Sequence, residues 1–596
     1  MKKLLMGNEA IAMGAIRAGV QFVSGYPGTP STETLETAAK MRPDDLYVEW
    51  SVNEKAALEA AAGASYAGAR VMVTMKQVGL NVASDPLMSL AYVGINGGFV
   101  VLVADDPGPI SSQTEQDTRH YAQFSKLPIF DPQSPEEAYE MVQEAFECSE
   151  KYKTPVFLRP TTRVCHGCAS IEIDEVRNVK KPEGFKKDPH WVIFPRLVYL
   201  NHKQIEARNV ELGKLFSESR FNKINITEGR KAIAAGGVSF AYMCEAVRDA
   251  GVKLENVSYM KVGTPNPFPE DMALKLLKSA DEVMVFEELD PVIEKSLVYV
   301  CGKYHLNTII RGKLTGDTEN AGENSTELIA EELEKFMGLV PVKTVMRPEP
   351  PKLPVRPPVL CAGCPHRASF YAVKTAMKGV KAVFSGDIGC YTLGNAKPLD
   401  MVDTCLCMGA DVTIAQGMHR IEPDAKNFAF IGDSTFFASG ITGAVNAVYN
   451  NADIVIIVLD NSTTAMTGHQ PHPGTGKTVM GDITEKIKIA EVLKGIGVKS
   501  VQTVNPMNLS EAVEAVKTAA GVHGVSAVIF ESPCVALFKP EKLMKVDTSK
   551  CIGCKKCINE IGCPGISIIS GKAVIDESQC NGCGLCCQIC PVKAID

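Results

Sequence analysis

No stretch of this chain reaches the ~18 consecutive apolar residues that a membrane helix needs. Positive charge is not in excess either. Lys and Arg number 62 against 69 Asp and Glu, a formal net charge of −7, so neither nucleic acid nor an anionic membrane surface is an expected partner. The opening MKKLLMGNEAIAMGAI has a basic tip, but Gly7, Asn8 and Glu9 interrupt it before a signal-type apolar core forms. There is no short-period repeat, and no segment demands disorder. What is present is an ordinary globular composition, 45% hydrophobic and 22% charged, over 596 residues. That length suggests roughly three to five domains. Twenty cysteines point to a reducing, oxygen-poor cytoplasm, because export would oxidise them.

The cysteines are ordered. Cys551, Cys554 and Cys557 form C-x2-C-x2-C, and Cys563 follows just before Pro564. Cys580, Cys583 and Cys586 repeat the run, and Cys590 precedes Pro591. A short loop with a cysteine at every third position supplies three thiolates to one point. The trailing Cys-Pro supplies a fourth, to the other cluster, as in bacterial two-cluster ferredoxins. Zinc ribbons pair two C-x2-C units and lack the triplets. Two [4Fe–4S] clusters are therefore expected over residues 541–596. The first run departs from the bacterial spacing, with five residues between Cys557 and Cys563. Cys587 is a spare thiol beside Cys586, which keeps the triplet spacing. Cys165 and Cys168 also form C-x2-C, but no second pair answers them nearby, and they read as structural thiols.

Upstream, apolar runs alternate with helical segments, the pattern of a parallel α/β sheet. In residues 1–170 the expected strands are 22–25, 70–74 and 99–104, with an Ala-rich helix over 56–67. Residues 171–230 are charged and irregular and read as a connector. The α/β pattern returns over 231–340, with strands 232–235 and 282–286 around a helix at 239–250. The segment 341–358 is proline-rich and reads as an extended linker. A third α/β region covers 359–540.

That third region holds the most chemical stretch, AFIGDSTFFASGITGAVNAVYNNADIVIIVLDNSTT. A strand over 428–431, a turn at Gly432-Asp433-Ser434, a helix over 435–449 and a strand over 454–459 put Asp433 and Asn461 at one carboxyl edge. A carboxylate, an amide oxygen and a backbone carbonyl suit Mg²⁺ with a bound diphosphate, and the helix start after Gly432 favours that anion. The plainer alternative is a βαβ turn with a capping Asp. Elsewhere, Glu54 follows a predicted strand and opens the Ala-rich helix, a placement the helix dipole also favours. Cys361, Cys364, Cys390 and Cys534 are scattered over the third region and by spacing alone fit buried apolar thiols equally well.

These motifs together resemble the 2-oxoacid:ferredoxin oxidoreductases. Gly432-Asp433-Ser434, followed by Asn461, resembles the thiamine-diphosphate motif, with Ser434 where the family usually has Gly. The resemblance implies Mg²⁺ held by Asp433, Asn461 and the carbonyl of Thr463. It implies Glu54 as the carboxylate bonded to the thiamine aminopyrimidine. It also implies a third, proximal [4Fe–4S] cluster on Cys361, Cys364, Cys390 and Cys534. Tyr26-Pro-Gly-Thr29-Pro-Ser31 resembles a segment that places Thr29 near the substrate carboxylate, and Arg119 stands where the family has an arginine able to grip it.

The match runs from about residue 5 to the C-terminus. Its order is a pyrimidine-type domain (1–170), a connector, a transketolase C-terminal-like domain (231–340), a diphosphate-type domain (359–540) and a two-cluster ferredoxin module. With the CAGCPHR and GDSTFF wording, that order is most similar to alpha subunits of the indolepyruvate branch. The implied reaction is oxidative decarboxylation of aryl 2-oxo acids with coenzyme A, giving arylacetyl-CoA, CO2 and reduced ferredoxin. The implied assembly is a hetero-oligomer with a smaller beta subunit carrying the gamma-type domain.

Overall fold

In the computed structural model the described residues are 2–173, 176–341 and 351–596. Residues 342–350 of the proline-rich segment, expected to be an extended linker, lie outside them. The chain forms two compact units, Met1–Pro350 and Pro351–Asp596.

The first unit contains two α/β sheets. One has six parallel strands in the order Tyr47–Trp50, Phe22–Gly25, Val71–Lys76, Phe99–Ala104, Val156–Leu158, Ile129–Phe130. Phe99–Ala104 (FVVLVA) is buried along its whole length, as a central parallel strand covered on both faces must be. The Ala-rich helix Glu54–Tyr66 packs its Ala57, Leu58 and Ala61 into the core of this sheet. An antiparallel pair, Lys2–Met6 with Cys168–Glu172, joins the two ends of the domain.

The second sheet runs Ile309–Arg311, Glu282–Phe286, Lys231–Gly236, Ser258–Val262, Lys223–Asn225, with the last strand antiparallel. Here the structure corrects the expectation of an irregular connector over 171–230. Pro195–Ser217 is a 23-residue helix, and Lys223–Asn225 already belongs to the second sheet. Only Ile205, Leu212 and Phe216 of that helix are buried, so its apolar stripe is too sparse to stand out among its charges.

The second unit carries a five-stranded parallel sheet in the order Ala382–Ser385, Lys426–Gly432, Ile454–Asp460, Ser526–Glu531, Ser500–Val504. Lys426–Gly432, Ile454–Asp460 and Ser526–Glu531 are its three inner, almost wholly buried strands. The C-terminal module contains the antiparallel pair Ile566–Ile569 and Lys572–Ile575 and a small core of Ile561, Leu585, Ile589 and Ile595. The helix Pro365–Ala376 contributes Ala368 to that same core, so the module is packed into the unit. The α/β class with parallel sheets and a C-terminal cysteine-rich module is thus the observed architecture.

Candidate active site

In the second unit, parallel pairing of Lys426–Gly432 with Ile454–Asp460 aligns Gly432 with Leu459. Asp433 and Asn461 therefore leave the sheet at the same edge. The Asn461 N–H donates to Asp433 Oδ2 at 3.2 Å, and the Ser434 N–H donates to Oδ1 at 2.9 Å. His472 Nε2 lies 3.1 Å from Asp433 Oδ2, and its Nδ1 accepts the Gly474 N–H at 3.2 Å. The ring proton is thereby directed at Asp433. Burial pushes Asp433 upward, but His472, Asp460 and the Ser434 amide outweigh it and hold the carboxyl below its usual range. Burial and the charge of Asp433 push Asp460 up to about 7. Of two adjacent carboxyls, then, Asp433 stays anionic and Asp460 takes the proton, as close like charges require.

Asn461 Oδ1 accepts the Thr463 N–H at 3.2 Å, which folds the chain so that Asp433, Asn461 and Thr463 are close neighbours, all buried. An anionic carboxylate beside an amide oxygen fits a hard dication. The helix after Gly432 begins at Asp433 and contains a π-helical turn, Phe436–Gly440, before Ile441–Tyr449. Such turns inside helices are frequent at functional sites. Gly432 must lack a side chain, because the Tyr391 ring occupies the place a Cβ would take. Tyr391 donates to Asp387 Oδ2 at 2.7 Å and lies 3.2 Å from Thr435 Oγ1. Asp387, pushed up to about 6 by burial, accepts the Gly409 N–H at 2.8 Å.

The four dispersed cysteines gather at this edge. Cys364 precedes the helix Pro365–Ala376, and Cys390 opens the turn Cys390–Asn395. The Cys534 N–H donates to the Asn461 carbonyl at 3.0 Å. Burial raises the Cys390 thiol most, with Cys534 and Cys361 adding to it, and Cys361 likewise perturbs Cys534 and Cys364. Cys361 thus lies within electrostatic reach of each of the other three thiols, an arrangement that could hold a cluster.

The C-terminal module forms two cysteine-lined wells. Cys551, Cys554, Cys557 and Cys590 line one. Cys563, Cys580, Cys583 and Cys586 line the other. Each run thus gives three thiols to one well and its fourth to the other. Backbone N–H groups already point at sulfur: Gly582 donates to Cys580 Sγ at 3.4 Å and Ala594 to Cys590 Sγ at 3.2 Å. Cys587 instead donates its thiol to Met544 Sδ at 3.2 Å. Cys165 is buried while Cys168 is exposed.

In the first unit, Thr29, Glu54, Lys76 and Asp106 lie beyond the carboxyl ends of four parallel strands or at such an end, on one sheet edge. Asn53 caps the helix of Glu54 by accepting the Ala56 N–H at 2.9 Å. Glu54 is buried, and desolvation raises its carboxyl above the ordinary value despite the charge of Lys76. Its carboxylate lies in the space a Cβ on Gly79 would fill. Thr29 is half-buried in a loop braced by Ser31, whose hydroxyl donates to the Gly28 carbonyl at 2.9 Å.

Arg119 is corrected by the structure. Its side chain is buried, and all three guanidinium nitrogens are already bonded. They donate to Asp117, to Glu287 Oε2 at 2.7 Å, and to the carbonyls of Glu288 and Asp290 at 2.6 and 2.9 Å. The planar fork expected to grip a substrate carboxylate instead ties the first sheet domain to the loop after Glu282–Phe286 in the second. Sequence reasoning also left His366, Arg367, Asp387 and His472 without roles. His366 and Arg367 follow directly after Cys364 in the CAGCPHR string, which was their available signal. Nothing in the sequence singles out Asp387 or His472.

Two family models match. One, described as "Thiamine pyrophosphate enzyme, C-terminal TPP binding domain", covers residues 387–530. The other, "Pyruvate flavodoxin/ferredoxin oxidoreductase, thiamine diP-bdg", covers 13–211. Among curated relatives, "Indolepyruvate oxidoreductase subunit IorA" of Methanothermobacter thermautotrophicus is 40% identical, over 100% of this chain and 97% of the relative. The subunit of the same name from Archaeoglobus fulgidus is 38% identical over 100% and 97%. That from Pyrococcus abyssi is 40% identical over 100% and 96%. A solved 2-oxoglutarate:ferredoxin oxidoreductase from Magnetococcus marinus aligns with 56% of this chain and 65% of its own, at 17% identity and TM-score 0.47. Identity of this size over the whole length, joined to both matched thiamine domains, makes the chain a member of the IorA family of indolepyruvate oxidoreductase subunits, within the thiamine-dependent 2-oxoacid:ferredoxin oxidoreductases.

Proposed function

We propose that this chain oxidatively decarboxylates aryl 2-oxo acids of the indolepyruvate type. The products are arylacetyl-CoA and CO2, with two electrons passed through iron–sulfur clusters to an external ferredoxin. The observation that carries this reading is the sharing of one folded unit by the Asp433–Asn461 edge and two cysteine-lined wells. A non-redox thiamine decarboxylase has no use for such wells. The aryl substrate is supported by the indolepyruvate name of full-length relatives.

Bound thiamine diphosphate supplies the electron sink that lets the oxo acid lose CO2. Asp433, Asn461 and the Thr463 carbonyl would hold a Mg²⁺ for its diphosphate, and the helix start after Gly432 would favour that anion. Glu54, buried and with its carboxyl raised by desolvation, would hydrogen-bond the aminopyrimidine. Thr29 sits on the edge that presents Glu54 and orients the substrate carboxylate. Cys361, Cys364, Cys390 and Cys534 hold a proximal cluster, and the two wells of the C-terminal module hold two more. A smaller beta subunit completes the hetero-oligomer, and coenzyme A accepts the acyl group. The setting is the cytoplasm.

The test is turnover by the full assembly across indolepyruvate, phenylpyruvate, pyruvate and a branched-chain 2-oxo acid, with coenzyme A and ferredoxin. At least a tenfold preference in kcat/KM for the aryl acids is expected. A preference for pyruvate keeps the chemistry and overturns the substrate.

A further inference from the structure

Arg367 stands at the junction of two sets of cysteines and has no part in the reaction proposed for the site. It follows Cys364 by three residues on the helix Pro365–Ala376 and is buried. Its Nη2 donates to the Leu360 carbonyl at 2.6 Å, at the start of the Cys361–Cys364 turn. Its Nη1 donates to the Ile561 and Gly562 carbonyls at 2.6 and 2.9 Å. Those carbonyls belong to the lengthened loop that separates Cys557 from Cys563. One guanidinium therefore fixes the turn carrying two cysteines of one set and the loop that delivers Cys563 to another. The same joint has a second tie, since Asn581 Nδ2 donates to the Ala362 carbonyl at 2.8 Å.

Two further observations point to a ligand. Arg367 lines the well of Cys563, Cys580, Cys583 and Cys586, and so does Cys364. The Arg367 Nε–H is buried and without a hydrogen-bond partner. A buried unpaired donor is destabilising, so a native fold that keeps one usually pairs it with a bound group. A cluster held by four of the thiols in this well would present sulfur acceptors to it.

We propose that Arg367 donates its Nε–H to a sulfur of the cluster held by Cys563, Cys580, Cys583 and Cys586, and so positions that cluster and raises its reduction potential. The inference rests on the iron–sulfur reading above. Reduction adds a negative charge, and a buried cation with an N–H···S bond stabilises the reduced form more than the oxidised one. The lengthened first-run loop then has a purpose. Its extra residues bring two carbonyls to Arg367, which locks Cys563 in register with the turn that carries Cys364.

The first test uses the unaltered full chain with its partner subunit, loaded with iron and sulfide under anaerobic conditions and carrying guanidino-¹⁵N arginine. Pulsed EPR of the reduced protein is expected to show a weak ¹⁵N coupling on one cluster. The coupling is expected to vanish in Cys580→Ala, which removes that cluster. The second test is a redox titration of Arg367→Met and Arg367→Lys. In Arg367→Met one cluster is expected to become harder to reduce by about tenfold in its electron-exchange equilibrium, about 59 mV for a one-electron couple. The others stay within twofold, and Arg367→Lys keeps most of the potential. A silent ¹⁵N label on fully assembled clusters overturns the assignment, even where Arg367→Met fails to fold. A coupling that survives Cys580→Ala, or midpoints unmoved in Arg367→Met, overturns it also. A chain that takes up no iron at all overturns the cluster reading and this assignment with it.

Discussion

Two carboxylates, Glu54 and Asp433, stand just past parallel strands in two different sheets, and their surroundings push them in opposite directions. Glu54 opens a helix, is buried, and has its carboxyl raised by desolvation, with Lys76 the opposing charge. Asp433 also opens a helix and is buried. The His472 ring, Asp460 and the Ser434 amide nevertheless keep it below its usual range. Similar burial thus gives opposite shifts, because hydrogen bonding to the charged form decides the sign. A group that shares a proton with a ring nitrogen profits from the first environment, and a ligand for a dication requires the second. The Arg119 cluster is a third case. There Asp117 and Glu287 meet a buried guanidinium, each of whose three nitrogens already donates within the protein.

The comparison is broken most directly at Glu54. Glu54→Gln is expected to lower kcat by about 10²–10⁴-fold, the usual worth of a positioned acid–base group. Bound thiamine diphosphate, read by equilibrium dialysis, should remain. Retention of more than a tenth of the activity would remove Glu54 from the chemistry. Arg119→Met should cost about 3–5 kcal/mol of unfolding free energy in the first unit, the loss typical of breaking a buried pair. In the protein that remains folded, KM for the oxo acid should be unchanged; a tenfold rise in KM with intact stability would restore the carboxylate-gripping role. Asp433→Asn should weaken Mg²⁺-dependent binding of thiamine diphosphate by at least ~10–100-fold, the range seen when even an outer partner of a metal is lost. Calorimetric titration at fixed Mg²⁺ checks it.

The smallest effect sharpens the contrast through stability. The carboxyl of Glu54 is raised in the folded protein above its unfolded value of 4.5. Below that value both states hold the proton, and the native chain and the Glu54→Gln variant behave alike. As pH rises, the unfolded chain releases the proton first, so the folded state loses stability through the raised value. Glu54→Gln should therefore raise Tm at pH 8 and leave it unchanged near pH 4. The reverse pattern would mean that Glu54 is stabilised as an anion.

How much of this was legible in the sequence depended on whether a contact was local. The C-terminal runs could be read because three cysteines of each run lie within seven residues, and each well is lined by one such triplet. Gly432-Asp433 could be read because a strand, a turn and a helix follow one another directly. Phe99–Ala104 was evident from continuous apolarity. The helix Pro195–Ser217 was hidden, because three buried positions among 23 give almost no periodic signal. Arg119 was misjudged for a different reason. Its partners Glu287, Glu288 and Asp290 lie about 170 residues away, so the sequence could not show that its donors were taken. His472, 39 residues beyond Asp433, was missed on the same ground.

In the proposed reaction, substrate electrons reach the cysteine wells. The most direct measurement is a single turnover without coenzyme A or ferredoxin. The anaerobic assembly, loaded with Mg²⁺, thiamine diphosphate, iron and sulfide, is mixed with indolepyruvate while its broad visible absorbance is followed. Bleaching of that absorbance in step with CO2 release is expected. CO2 release with the absorbance unchanged would contradict it and leave a non-redox decarboxylase.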